Sequence, residues 1–210
     1  MFKRYKSTFS KTMLKTATLV LAMISTPFAL AAVKPGQAAP DFELQSASGE
    51  TVKLSDYKGK YVVLEWTNHQ CPFVVKHYDS GNMQGLQKQY TKDDVVWLSV
   101  ISSAPGKQGN VSGSEAMELT KSRDAAPTHV LLDGSGDVGK AYGAKTTPHM
   151  YVITPEGQLA YMGAIDSIKS TDPADIPKAD NYLQLAMADL SQGNTVGKPL
   201  TKPYGCSVKY

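Results

Sequence analysis

The chain has 210 residues and a formal charge of +3, but Lys3, Arg4, Lys6, Lys11 and Lys15 all lie in its first segment, and without them the charge is −2. That balance excludes a nucleic-acid-binding reading, because the basic character belongs to the leader and not to a folded surface. About 178 residues then remain, enough for one α/β domain with a real core and too few for two.

The five basic residues precede an apolar stretch, Ala17 to Ile24, followed by Ser25-Thr-Pro-Phe-Ala-Leu-Ala31. A basic start, a short apolar core and the small-x-small site Ala29-Leu30-Ala31 predict a secretory signal over 1–32. The apolar core is interrupted by Ser25 and Pro27, so a retained membrane anchor is the weaker alternative. The expected product is exported, to a bacterial periplasm, with no stable membrane insertion once the signal is cleaved. The domain is expected over 33–192, with a tail over 193–210 that carries Cys206.

Ala39 to Leu44 and Thr51 to Leu54 flank Ser48-Gly49-Glu50 and predict an N-terminal β-hairpin. Tyr61 to Thr67 is a β-branched and aromatic run that predicts a buried strand, followed by helices over Pro72 to His77 and Met83 to Tyr90. Val95 to Ile101 is nearly continuous apolar sequence, as expected of a strand covered on both faces. The turn-rich stretch Ser102 to Gly113 is long for a connection inside a compact domain; it is expected to be a variable surface insertion, with the rim or lid of a site as the alternative reading. It leads into a helix over Ser114 to Arg123, capped by Ser114. A short strand, His129 to Leu132, and a short helix, Val138 to Tyr142, come next. Met150 to Ile153 and Leu159 to Met162 then flank Thr154-Pro-Glu-Gly157 as a second hairpin. After a polar loop, Asp166 to Pro177, an amphipathic helix over Ala179 to Leu190 closes the domain. Hairpin, strand, helix, strand, helix, hairpin and helix in that order specify an α/β fold with a central mixed sheet flanked by helices.

Cys71 is the residue with the most chemistry in its surroundings. The strand ends, a short turn follows, and Pro72 suits the first position of a helix, so Cys71 is expected at the N-cap. There a sulfur faces unpaired backbone N–H groups and the positive end of the helix dipole, which favour thiolate over thiol. Cys206 is the other cysteine. In an oxidising compartment the two could form a structural staple contributing roughly 4 to 5 kcal/mol, a redox-active pair, or two independent thiols. The helix-start position of Cys71 favours the redox pair.

Three features resemble the thioredoxin superfamily, and within it the redoxin branch of AhpC/TSA and peroxiredoxin-like proteins. They are the strand-to-Cys-Pro turn at Trp66 to Val74, the segment Lys145-Thr-Thr-Pro-His-Met-Tyr-Val-Ile153, and Ala39-Pro-Asp-Phe42. The resemblance covers about Val33 to Gln192 and implies a thioredoxin-like fold in which Pro148 is cis and lies against Cys71. It implies thiol-disulfide exchange, with Cys71 as nucleophile and Glu65 at the position of a buried carboxylate that moves a proton. His69, two residues before Cys71, is a candidate to stabilise the thiolate or accept its proton. Cys206 is expected to resolve the mixed disulfide, and Thr147, Pro148, Pro72 and Asn68 are expected to shape the substrate groove.

The chain departs from both parent patterns. Val74 stands where thioredoxins carry a second cysteine, and neither register around Cys71 reproduces the Pro-x-x-x-Thr/Ser-x-x-Cys of peroxiredoxins. Arg123 is the only arginine outside the leader, and it lies beyond the long loop, away from the expected place of a peroxide-binding arginine. Thiol-disulfide exchange with a protein or small-thiol substrate is therefore the first reading and peroxide reduction the second. The third is a binding or metal-handling module with a structural disulfide. His69, Cys71, His77 and His149 are possible soft-metal ligands, but the second nearby cysteine of a copper site is missing, so no metal and no cofactor are expected. Lys76 and His77 are expected on the helix surface.

Overall fold

The computed structural model describes residues 1, 3 and 32–210. The expected signal over 1–32 lies outside the described residues apart from three positions.

Strand β1 (Glu43–Ser46) and strand β2 (Thr51–Lys53) form the first hairpin, and β3 (Val62–Trp66) runs through the middle of the molecule. Helices α1 (Pro72–Asp79) and α2 (Asn82–Lys92) follow, then β4 (Val96–Ile101), α3 (Gly113–Ser122), β5 (His129–Leu132) and α4 (Asp137–Tyr142). Strand β6 (Thr146–Thr147) leads into the hairpin β7 (His149–Ile153) and β8 (Leu159–Gly163), and helix α5 (Tyr182–Ser191) precedes the tail strand β9 (Cys206–Ser207). Seven strands form one sheet in the order β2-β1-β5-β4-β3-β7-β8, while β6 and β9 make a separate antiparallel pair. β4 is parallel to both β3 and β5, and β7 is antiparallel to β3. The mixed sheet is the one expected, with the strand-helix-strand crossovers burying both of its faces.

Alternation along the strands sorts the side chains. Val63, Trp97, Met150 and Val152 face a core closed by Val74 and Tyr78 of α1, Met83, Leu86 and Tyr90 of α2, and Leu183, Ala186 and Met187 of α5. Leu64, Trp66, Leu98, Val100, Tyr151 and Ile153 face the opposite core with Phe42, Leu54 and Tyr142. Each such side chain contributes roughly 1.5–3 kcal/mol through burial. Glu65 and Ser99 share the first face with Cys71, because the period of two puts them beside Val63 and Trp97.

Two boundaries differ from expectation. α3 is capped by Ser112, not Ser114: the Ser112 hydroxyl accepts from the Glu115 N–H, and the Glu115 carboxylate accepts from the Ser112 N–H at 2.7 Å. The serine three residues before a glutamate is the one that can close this reciprocal pair. The final helix starts at Tyr182 behind Asn181, whose side chain accepts from the Gln184 N–H at 3.0 Å. The polar loop before it contains a 3-10 segment over Pro173–Lys178.

Candidate active site

Strand β3 ends at Trp66, and Asn68 turns the chain: its side-chain oxygen accepts from the Gln70 N–H at 2.9 Å, and its carbonyl accepts from the Cys71 N–H at 3.0 Å. Cys71 then caps α1 with Pro72 in its first turn. The amide of Asn68 also donates to Gln108 O at 3.2 Å. Gly109 lies so close that a Cβ there would come within 2.3 Å of the Asn68 side chain. The long loop after β4 is thereby packed onto the turn that presents the thiol.

The Thr147-Pro148 bond is cis, and the Cys71 Sγ–H donates to Thr147 O at 3.1 Å. The tail supplies the rest. β9 pairs antiparallel with β6, and Cys206 is the register partner of Thr147. The two thiols neighbour one another, and both are free. Cys71 is fully buried and Cys206 partly so. Burial pushes the Cys71 thiol up, and the donation to a carbonyl also favours the protonated form. The Cys206 thiol, the Thr147 hydroxyl and the nearby backbone N–H groups of Cys206 and Val74 favour the thiolate and outweigh both, so Cys71 lies below the ordinary cysteine value. Cys206 moves the other way, pushed up to about 11 by burial and by the sulfur it faces. The pair is thus asymmetric, an acidic buried sulfur against a protonated neighbour.

Glu65 lies on the same face without a hydrogen bond to Cys71 among the described contacts. It accepts from Tyr78 Oη at 2.8 Å, Trp97 Nε1 at 2.9 Å, Ser99 Oγ at 3.0 Å and Gln87 Nε2 at 3.1 Å. Burial raises its carboxyl above the usual range, and these four donors oppose the rise. Among the described residues no lysine pairs with it. Tyr78 belongs to α1, so the helix that starts at Cys71 is tied to the carboxylate by its own hydroxyl.

His69 turns away from the thiol. It shares a crevice with Thr67, Tyr78, Ser99 and Arg123, and burial followed by the Arg123 charge lowers its imidazole below the ordinary value. A histidine held neutral there supplies no cation to Cys71. Arg123, which the sequence placed away from the site, donates from Nη2 to His69 O at 2.9 Å and lies 5.1 Å from the centre of the Tyr78 ring. It braces the turn from behind. His149 follows the cis proline but points into the other core, where Nδ1 meets Tyr151 Oη at 3.1 Å. His69, His77 and His149 therefore do not join Cys71 in a ligand cluster, and no metal-ligating group of three appears among the described residues.

Lys76 and His77 are buried, contrary to the surface placement expected for them. Both face Asp166, with Lys76 Nζ and His77 Nε2 at 3.7 and 3.8 Å from Oδ2. The partner lies in the loop after β8, ninety positions along the chain, so helix periodicity alone could not reveal it. Pro72 is exposed at the mouth of the site, whereas Phe73 packs edge-on against Tyr204 of the tail, ring centres 5.7 Å apart. Thr147 and Pro148 do border Cys71, but the β6 edge is occupied by the chain's own tail.

Residues 35–162 match the AhpC/TSA family. Peroxiredoxin Bcp of Bacillus subtilis aligns over 119 residues, 52% of this chain and 64% of that protein. Thiol-disulfide oxidoreductase ResA of the same organism is 26% identical over 134 residues, 60% of this chain and 65% of its own. The chain thus spans just under two thirds of the length of either relative. An uncharacterized conserved protein of Geobacillus kaustophilus superposes with a TM-score of 0.73 at 24% identity, covering 84% of this chain and 92% of that one. A DsbE-like thiol:disulfide interchange protein of Chlorobium tepidum does so with a TM-score of 0.50 at 25% identity, over 63% and 85%. The fold is thioredoxin-like.

Proposed function

This chain belongs to the AhpC/TSA family, and on that premise we propose that it is an exported thiol-disulfide oxidoreductase in which Cys71 attacks and Cys206 resolves. The observation that carries the reading is the pairing of Cys206 with Thr147, which sets the second thiol against the first. The Cys71 thiolate attacks one sulfur of a substrate disulfide, the substrate S–S bond breaks, and the departing thiolate takes a proton. Cys206, on losing its proton, attacks Cys71 Sγ and releases the second substrate thiol as the Cys71–Cys206 bond forms. The substrate gains two electrons, the protein loses two, and an external thiol returns it to the reduced state. Glu65, buried and raised, is assigned the proton transfer. The relationship to ResA supports a thiol or disulfide substrate, and the basic, apolar leader supports export.

Peroxide reduction is the second reading, favoured by the relationship to a peroxiredoxin. The Cys71 thiolate would attack one peroxide oxygen, the O–O bond would break with the other oxygen leaving as water once protonated, and Cys206 would then displace a second water from the sulfenic acid to close the disulfide.

The test is a non-reducing mass map after limiting disulfide or hydrogen peroxide. The wild type should lose two thiols as a single 71–206 bond, and Cys206→Ser should accumulate a mixed disulfide or an oxidised Cys71. In the same assay Glu65→Gln should slow exchange at neutral pH and flatten its pH profile. Turnover unchanged in Cys71→Ser would sink the proposal, and consumption of peroxide without exchange would select the second reading.

A further inference from the structure

The tail reaches Cys71 along a fixed route. Beside β8, the Thr201 hydroxyl accepts from the Ala164 N–H at 2.9 Å; beyond β9, Val208 N–H donates to Lys145 O at 3.1 Å and Lys209 O accepts from Ala104 N–H at 2.8 Å. Between these ties, two residues before Cys206, Tyr204 packs its ring on Phe73 of α1 and gives its hydroxyl to Asp166 Oδ1, which also accepts from the Ile168 N–H at 3.0 Å. The other carboxylate oxygen faces Lys76 Nζ and His77 Nε2. On the other nitrogen of the same ring, His77 Nδ1 lies 2.9 Å from Asn82 Nδ2. A carboxylate, a lysine and a histidine, all buried, converge behind the catalytic helix, and they are unused in the exchange chemistry.

We propose that Asp166 is a positioning residue that, through the hydroxyl of Tyr204, holds Cys206 against Cys71 and keeps Cys71 covered. The inference rests on Cys206 being the resolving thiol. The buried Lys76 and His77 belong to α1, the helix that carries Cys71, so the carboxylate couples the tail to the element presenting the nucleophile. Opening the Tyr204 contact frees the tail upstream of Cys206. Two properties then change in opposite directions: Cys206 loses its local concentration at Cys71, and Cys71 becomes reachable from solvent.

The experiment compares wild type, Tyr204→Phe and Asp166→Asn in redox equilibrium with glutathione. There, two protein thiols and one glutathione disulfide exchange for the 71–206 disulfide and two glutathione thiols. A buried hydrogen bond to a carboxylate corresponds to a fall in the closure constant of about 10-fold or more. In a Cys206→Ser background, Tyr204→Phe should speed iodoacetamide alkylation of Cys71 several-fold. A merely structural tyrosine would lower the denaturant midpoint and leave both native-state readouts where they were. Asp166→Asn strips the counter-charge from buried Lys76, so Tyr204→Phe, which keeps the ion pair and the ring packing, decides the matter if the asparagine variant does not fold. A wild-type closure constant retained in Tyr204→Phe overturns the positioning role and leaves the resolving role standing. A wild type that never forms the 71–206 bond overturns both.

Discussion

At the scale of the residue, the two sulfurs are distinguished by their surroundings. Cys71 sits at a helix start with N–H donors and the Thr147 hydroxyl around it, whereas Cys206 faces that sulfur from a partly solvated strand. Titrating the ultraviolet thiolate absorbance of the reduced protein should give a first step from Cys71 below the ordinary cysteine value and a second, from Cys206, far above it. Cys206→Ser should remove the second step and move the first upward, because a serine hydroxyl is a poorer match for the thiolate than the thiol it replaces. A first step assigned to Cys206 would invert the roles of nucleophile and resolver.

At the scale of the element, β9 is only two residues long, and its approach depends on a glycine. Gly205 has φ near +136°, and a Cβ there would lie 2.0 Å from Thr147 O and 2.8 Å from Thr147 C. Backbone on both sides of that contact cannot yield as a flexible side chain would. Gly205→Ala should lift Cys206 off Thr147 while the seven-stranded sheet stays folded. Strain of this kind is about 1–3 kcal/mol, which corresponds to a loss of closure of about 5-fold to about 150-fold. Counting free thiols by intact mass after limiting oxidant checks it: wild-type closure in Gly205→Ala would show that the tail has another route to Cys71.

At the scale of the whole molecule, buried histidines make the fold sensitive to acid. Burial, with Lys76 adding and Asp166 opposing, lowers His77 to about 4; burial and Lys145 lower His149 to about 3. Their unfolded value is near 6.5, so between there and about 4 the unfolded chain holds more protons than the folded one, and stability falls as pH falls. The slope approaches ~1.4 kcal/mol per pH unit for each histidine. Glu65 has the opposite sign: raised by burial, it contributes stability below its unfolded value, and that contribution is lost as pH rises through the folded one. Urea midpoints across about pH 6.5 to about pH 4 should therefore decline, less so in His77→Gln. A His77→Gln variant whose midpoints decline as steeply as those of the wild type would mean that His77 is not held neutral within the fold.

The strand-turn-helix around Cys71, the two hairpins and the mixed sheet were readable from the chain because each rests on local rules. Apolar alternation marks strands, and proline marks the first turn of α1. A small polar residue at a helix start marks a cap, although the expected cap of α3 at Ser114 gave way to Ser112, the serine that can pair with Glu115. The turn that presents Cys71 was readable because it is local, and the resemblance supplied Thr147 and Pro148, which border Cys71 in the fold; the roles given to these residues and to Glu65 are part of the proposal. Tertiary structure decided the rest. His69 turned toward Arg123 instead of Cys71, since burial favours the neutral ring and a crevice was open to it. Lys76 and His77 went inside because Asp166, far along the chain, was there to face them. The tail became a strand because β6 offered an unpaired edge and Gly205 allowed it close, and no periodicity in a two-residue segment can announce such a pairing.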